Sequence, residues 1–140
     1  MPLLPADKIV RLEIRKVAKV ISKSNPRVKR DGNEYDNEML NVPCHLTEDA
    51  TAVDGTKINK GFPIFHRIML TPTDERPAKQ IAADVTKLCL AVGVKGLTVR
   101  QLIDDPVTHL EGKIFDAKTK INKEKDGYPE SNSINPIPLA

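Results

Sequence analysis

The stretch EMLNVPCHL, residues 38–46, alternates between apolar and more polar side chains over its whole length. Leu40, Val42, Cys44 and Leu46 would share one face and the intervening residues the other, which is the pattern of a half-buried β-strand. Pro43 has no backbone N–H to give to a neighbouring strand, so it indicates a sheet edge or a bulge at this point. This stretch predicts a β-rich domain.

Further strands are predicted on both sides of this stretch. Most apolar residues within 8–22 are β-branched, which predicts one long strand with a bulge near Arg15 and Lys16, although the spacing of Ile14, Val17 and Ile21 would also suit a helix. Residues 62–70, residues 113–122 and a short segment at 131–135 also have strand character. Residues 23–37 and 47–61 are polar and contain the turn signals Asp31-Gly32-Asn33 and Asp54-Gly55, so both are predicted to be loops.

One long helix is predicted between the third and fourth strands. Ile81, Val85, Leu88 and Val92 recur at helical spacing within residues 77–92, and Gly93 follows as a C-cap. Thr98 then caps a short helical turn that Pro106 is expected to end. The order of three strands, a helix and one or two strands is that of an OB barrel. The predicted fold class is therefore mainly β, an OB-fold-like β-barrel with one helix between strands three and four.

Length and composition predict one domain. We divide the 140 residues into an N-terminal arm (1–7), an OB-like nucleic-acid-binding domain (8–135) and a C-terminal tail (136–140). The chain has no apolar run of about 18 residues and no signal-peptide pattern, so we expect a cytoplasmic protein that does not cross a membrane. Cys44 and Cys89 are expected to remain reduced thiols, although a disulfide between them is arithmetically possible.

Basic residues are concentrated in two runs, although the net charge is only +3. Between Arg11 and Arg30 there are eight basic residues and one acid, Glu13, and five lysines lie between Lys113 and Lys125. In an OB barrel, strands one and four and the loops after them surround one groove, where the two runs would neutralise the phosphates of a single strand. The alternative is an ordinary solvated surface.

Aromatic rings that could stack on bases are few. Tyr35 and Tyr128 lie in the two basic loops and are the stacking candidates, although each could instead pack within its turn. Phe115 and one of Phe62 and Phe65 are expected in the core. The predicted nucleic-acid-binding residues are Arg15, Lys19, Lys23, Arg27, Lys29, Arg30, Tyr35, Lys118, Lys120, Lys123 and Tyr128.

The sequence contains no motif that predicts catalysis or metal binding. His45, His66 and His109 lie on separate predicted elements, and neighbouring Cys44 and His45 would point to opposite faces of a strand. Cysteine-pair metal motifs, phosphate loops and nucleophile elbows do not occur. We expect no enzymatic activity, no cofactor and no metal site.

Several segments together resemble a known group of proteins. These are KDGYPESN at 125–132, LEGK at 110–113, the first hairpin from Gly32-Asn33 to Leu40, and the helix from Lys87 to Gly93. They resemble small bacteriophage-encoded OB-fold proteins that bind single-stranded DNA beside replication or recombination genes. The resemblance covers residues 8–135, but the chain has few aromatic residues and no long acidic C-terminal tail.

The resemblance implies a binding module in the host cytoplasm. Its expected partners are single-stranded DNA or RNA, phage or host replication proteins, and a second copy of the chain. A protein-interaction module of the same fold, such as a phage inhibitor or assembly component, is the alternative. The near-neutral net charge and the small number of aromatic residues favour that alternative.

Overall fold

The computed structural model describes residues 2–125 and 127–139. Met1, Asp126 and Ala140, which belong to the predicted arm, to the 125–132 motif and to the predicted tail, lie outside the described residues. The strands are β1 (Ile9–Ile14), β2 (Ala18–Ile21), β3 (Arg27–Arg30), β4 (Asn33–Asp36), β5 (Glu38–Leu46), β6 (Ala50–Thr51), β7 (Lys57–Ile58), β8 (Pro63–Met69), β9 (Ile114–Asn122) and β10 (Ser131–Pro136). The helices are α1 (Ala78–Val92), α2 (Val99–Asp104) and α3 (Pro106–Leu110).

β5 is the central strand of the main sheet, and it confirms the strand predicted at residues 38–46. Leu40, Val42, Cys44 and Leu46 are buried, and the residues between them are only half-buried. The strand is paired on both edges, since Cys44 lies opposite Ile14 of β1 and also opposite Ile64 of β8. The period-two pattern therefore reports one face packed on the core and one face turned outward.

The predicted long first strand is observed as β1 and β2, which pair with β5 on either side of a bulge. Ile14 is opposite Cys44 and Ala18 is opposite Asn41, so three residues oppose two between these pairs. Lys16 has a positive φ of 48° inside this interval, and Arg15 N–H donates to the carbonyl of Pro43 at 3.0 Å. The extra residue lies where Pro43 has no N–H to donate, which confirms the predicted bulge.

The main sheet continues from β1 to β9 and then to β10, all antiparallel. The two end strands, β8 and β10, have Cα atoms within 8 Å of each other. No ladder joins them among the described residues, so the sheet is not a closed barrel. The mainly β class is confirmed, but the closed barrel was an overprediction. The twist between adjacent strands curves the sheet without pairing its ends.

Both segments predicted to be loops contain hairpins. β3 and β4 pair around a turn at Asp31 and Gly32, which both have positive φ, and β6 and β7 pair around Gly55. Asp-Gly at the two central positions is typical of tight hairpin turns. The sequence pattern predicted these turns but not the flanking strands, because an exposed hairpin has no buried face and therefore no apolar alternation.

Three helices, rather than one helix and a turn, lie between β8 and β9 in the chain. α1 starts one residue later than predicted and ends at Gly93, which is left-handed with φ 76°. Thr98 caps α2 as predicted, through a capping box with Gln101. α2 ends at Asp104, just before Pro106, as predicted. The prediction missed α3, which begins at Pro106, because the first position of a helix does not need the N–H that proline lacks.

The core lies between the inner face of the sheet and the helices. It includes Leu12, Ile14, Val42, Val85 and Leu88, all with no exposed surface. Residues assigned to the arm and the tail also contact the rest of the domain. Leu4 is fully buried and exchanges two hydrogen bonds with the Asn132 side chain, while Leu139 N–H donates to the Leu90 carbonyl at 3.1 Å.

Two titratable side chains are enclosed by the fold. His66 on β8 lies near Asp84 and Lys87 of α1, and burial lowers its pKa below the ordinary value of 6.5. Cys44 is a free thiol in β5, and burial raises its pKa to about 12. Cys89 on α1 is also a free thiol and is half-buried. The His66 and Cys44 side chains are therefore uncharged at neutral pH.

The burial of His66 predicts a pH-dependent stability. Because its folded-state pKa is lowered, protons bind the unfolded chain more readily, and stability is lost as the pH falls below 6.5 towards the folded pKa. This loss has a slope of at most about 1.4 kcal/mol per pH unit. Urea unfolding between pH 7 and pH 5 should show it in the wild type but not in His66→Leu. Equal slopes in wild type and His66→Leu would contradict the assignment.

The burial of Cys44 predicts an unreactive thiol. With a pKa of about 12 its thiolate fraction at pH 8 is roughly a thousandfold below that of a thiol with pKa 9. In a Cys89→Ser variant, an aromatic disulfide reagent should therefore label Cys44 very slowly in the native state and rapidly in urea. Rapid labelling of the native variant would show that β5 opens to solvent.

Candidate nucleic-acid interface

The outward face of β5 and β8 forms the floor of a groove of about 1220 Å³. Met39 and Asn41 of β5 lie opposite Met69 and Arg67 of β8, and these four residues are the floor. β2 and the residues after it, 20–25, form one wall, and residues 27–29 of β3 form another. Residues 73–76 and Gln80 at the start of α1 close the third side.

The β3–β4 hairpin is held in position at its base and at its tip. At the base, Asn37 N–H donates to the Pro26 carbonyl and Asn37 O accepts from Ser22 N–H, both at 2.9 Å. At the tip, Asp31 N–H donates to the carboxylate of Asp74, in the segment before α1, at 3.2 Å. The hairpin is thus a fixed wall of the groove, built from a segment whose sequence predicted only a loop.

Basic side chains outnumber acidic ones around the groove. Five cations line it, against two acids, Asp74 and Glu75. Arg27 is partly neutralised, because its guanidinium lies 2.6 Å from the Asp36 carboxylate of the same hairpin. The other four cations form no ion pair with another described residue. The five are Lys23, Arg27, Lys29, Arg67 and Arg76.

An exposed aromatic side chain on the same sheet face as the groove floor is not one of the predicted stacking residues. Phe65 is 45% exposed and lies two residues from Arg67 on the same face of β8, with the guanidinium 5.4 Å from its ring centre. Phe62 packs against the core instead. The alternation of β8 could have identified Phe65, since buried Ile64 and Ile68 place residue 65 on the outward face.

The predicted stacking tyrosines have other surroundings. Tyr35 is half-buried on β4 opposite Val28, and the guanidinium of Arg30 lies 4.6 Å from its ring centre. Tyr128 is 66% exposed in the loop between β9 and β10 and does not line the groove. Neither tyrosine is among the residues that line the groove, and their stacking on bases stays a prediction.

The structure brings together only part of the predicted basic set. Lys23, Arg27 and Lys29 line the groove, whereas Arg15 pairs with Glu13 at 2.9 Å and Lys19 lies on β2 opposite Leu40. Lys118, Lys120 and Lys123 lie on β9 or just after it and are not groove residues. Lys118 pairs with Ile9, at the far end of β1 from the groove.

Three further observations bear on other kinds of activity. Within residues 2–125 and 127–139, no three His, Cys, Asp or Glu side chains are grouped so that they could hold a metal ion. The Cys44 thiol is not an activated nucleophile, because burial raises its pKa to about 12. Among the described helices, none has the length and apolar character needed to span a bilayer.

No protein family, curated protein or solved structure matches this chain. The resemblance to phage single-stranded-DNA-binding proteins therefore stays a prediction, and the groove is the feature that indicates a function.

Proposed function

We propose that this protein binds single-stranded DNA in the groove between the outward face of β5 and β8 and the β3–β4 hairpin. The main support is a groove lined by five basic side chains, with Met39 and Met69 on its floor. Proteins that bind single strands combine a positively charged groove that follows the backbone with surfaces on which bases pack. Single-stranded RNA satisfies the same requirements.

The order of the strands supports an OB-like assignment for this surface. β1 with β2, then β5, β8, β9 and β10 correspond in order to the five strands of an OB fold, with α1–α3 after the third. OB folds bind oligonucleotides on the face of strands two and three, and with the loops between strands one and two and between strands four and five. Of these elements, the counterparts that form the groove here are β5, β8 and the segment with the hairpin.

The proposed contacts divide by chemistry. Lys23, Lys29 and Arg76 would neutralise phosphates along the rim, and exposed Phe65 would stack on a base next to the groove. Lys118, Lys120 and Lys123 are not needed for this groove. A role in phage replication or recombination, in the host cytoplasm, is proposed on the resemblance alone.

The phosphate contacts predict a salt dependence specific to the groove. Changing Lys23, Lys29 and Arg76 together to Ala should reduce the slope of log affinity against log salt by about 0.7 for each phosphate that is no longer neutralised, or about 2 for three. Changing Lys118, Lys120 and Lys123 removes the same charge outside the groove and should leave the slope near the wild-type value. Fluorescence anisotropy with matched DNA and RNA oligonucleotides at several salt concentrations measures both.

The two triple variants distinguish the outcomes. An equal reduction of slope in both would indicate diffuse attraction to the whole surface instead of a groove. Electrostatic binding is strong at about 50 mM salt. If the folded wild-type protein binds no oligonucleotide there, a protein-interaction module of the same fold becomes the better explanation of the groove.

Stacking on Phe65 predicts a loss of affinity without a change in salt slope. Phe65→Ala should weaken binding by about 1–3 kcal/mol, the usual contribution of one stacked base, because no charge is removed. Tyr128→Ala is the comparison, since Tyr128 is more exposed but outside the groove, and it should bind like the wild type. Weaker binding by Tyr128→Ala with Phe65→Ala unchanged would place the bases on the β9–β10 loop.

A further inference from the structure

The groove is closed at the end where β2 and β8 stop and β5 begins. The segment after β2 is joined there to the base of the β3–β4 hairpin, since Ser22 N–H donates to the Asn37 carbonyl at 2.9 Å. The segment after β8 is joined to the same base. The Thr71 hydroxyl donates to the Asp36 carbonyl at 2.7 Å and accepts from Glu38 N–H at 2.9 Å. The three connections at this end of the sheet therefore form one hydrogen-bonded wall.

The hairpin extends this wall over the outward side of the sheet. Residues 27–29 of β3 line the groove, and the hairpin tip reaches the segment before α1, where Asp31 N–H donates to the Asp74 carboxylate at 3.2 Å. Residues 20–25 border the groove on one side and residues 73–76 on the other. A single strand lying on the floor is therefore confined on three sides at this end.

The opposite end of the floor is open. Residues directly opposite each other on paired strands share a face, so the outward side chains of β5 and β8 lie in rows. Three rows follow one another from the closed end: Met39 with Met69, Asn41 with Arg67, and Pro43 with Phe65. The groove includes the first two rows, and none of the described residues further along β5 and β8 lines it. A strand can thus enter over Phe65 and run along the floor towards the methionines.

The closed end offers contacts for both parts of a nucleotide. Met39 and Met69 form its floor together with Val20 of β2, which lies opposite Met39 and is 38% exposed. Methionine side chains are flexible and polarizable, and they pack well against aromatic rings such as those of bases. Each of the three walls carries a basic side chain that forms no ion pair with another described residue. These are Lys23, Lys29 and Arg76.

We propose that the groove accepts the free end of a single strand, with the terminal nucleotide against the hairpin, and that the hairpin, tied to Asp74, keeps internal stretches out. An internal stretch would have to continue past the closed end, whereas the floor continues only towards Phe65. This inference rests on the proposed function and specifies which part of the strand the groove binds.

The test compares a linear and a circular oligonucleotide of the same sequence, each with a dye on an internal base. Both contain about 60 nucleotides, several times the roughly 4–16 that one OB-like domain covers, so the circle is not constrained within a site. In fluorescence anisotropy, wild-type protein should bind the circle at least about tenfold less tightly, the effect of losing one base contact on the floor. Native mass spectrometry should find no more than two proteins on the linear strand, because it has two ends.

The contact between the hairpin tip and Asp74 supplies a second test. Asp74→Ala removes the acceptor for Asp31 N–H, so the tip can move away and the difference between linear strand and circle should shrink towards equal binding. Glu75→Ala is the matched control, since Glu75 also lines the groove but Asp31 N–H bonds to Asp74 instead. Both variants remove one negative charge and should bind each strand more tightly. Only the ratio of the two affinities reports the closed end, and Glu75→Ala should keep the wild-type ratio.

The outcomes separate this inference from the function it rests on. Equal affinity of the wild type for linear strand and circle, or more than two proteins on one linear strand, overturns end binding and leaves single-strand binding intact. A ratio that Asp74→Ala leaves unchanged overturns the role of the hairpin tip. Binding of neither strand at low salt overturns the proposed function. Because the comparison on the wild type needs no variant, it remains decisive even if Asp74→Ala does not fold.

Discussion

Asn41 pairs with Ala18 on one edge of β5 and with Arg67 on the other, and Cys44 is paired on both edges in the same way. A strand held at both edges cannot shift by one residue without turning its buried side chains outward. Pro43 interrupts this pairing on one edge, because it lacks an N–H, and the bulge at residues 15–17 lies opposite it. The bulge turns β2, so that the segment after β2 begins beside the outward face of β5 and the groove has a wall.

The same geometry determines which cations are available to a ligand. The chain has 22 basic and 19 acidic residues, so composition alone predicts little attraction to nucleic acid. Pairing across the hairpin engages Arg27 with Asp36, and Arg30 covers Tyr35, whereas Lys23 and Lys29 remain unpaired among the described residues. Arg67 and Arg76 join them from β8 and from the segment before α1. A weakly basic protein thus carries a local basic groove.

The groove combines two kinds of surface. Lysine and arginine side chains lie around it, and its floor carries Met39 and Met69 beside Asn41 and Arg67. Two amide oxygens next to this floor, Asn37 Oδ1 and Asn41 Oδ1, are shielded from solvent without a hydrogen-bond partner among the described residues. A buried acceptor without a donor lowers the stability of a folded chain.

Elements that have one buried face could be predicted from the amino-acid sequence. β5, β8, β9 and α1 were predictable because their apolar residues repeat with period two or 3.6. The missing N–H of Pro43 indicated an edge or a bulge, and the structure shows that it is a bulge. The β3–β4 hairpin, α3 and the position of Phe65 beside the groove depend on the tertiary structure. An exposed hairpin leaves no periodic signal in the sequence. Lys23 lines the groove and Lys118 does not, because the path of the strands places them apart, and their charge gives no indication of this. Asn37 and Asn41 are ordinary asparagines in the sequence, because whether a polar atom is buried without a partner depends on neighbours that are distant along the chain.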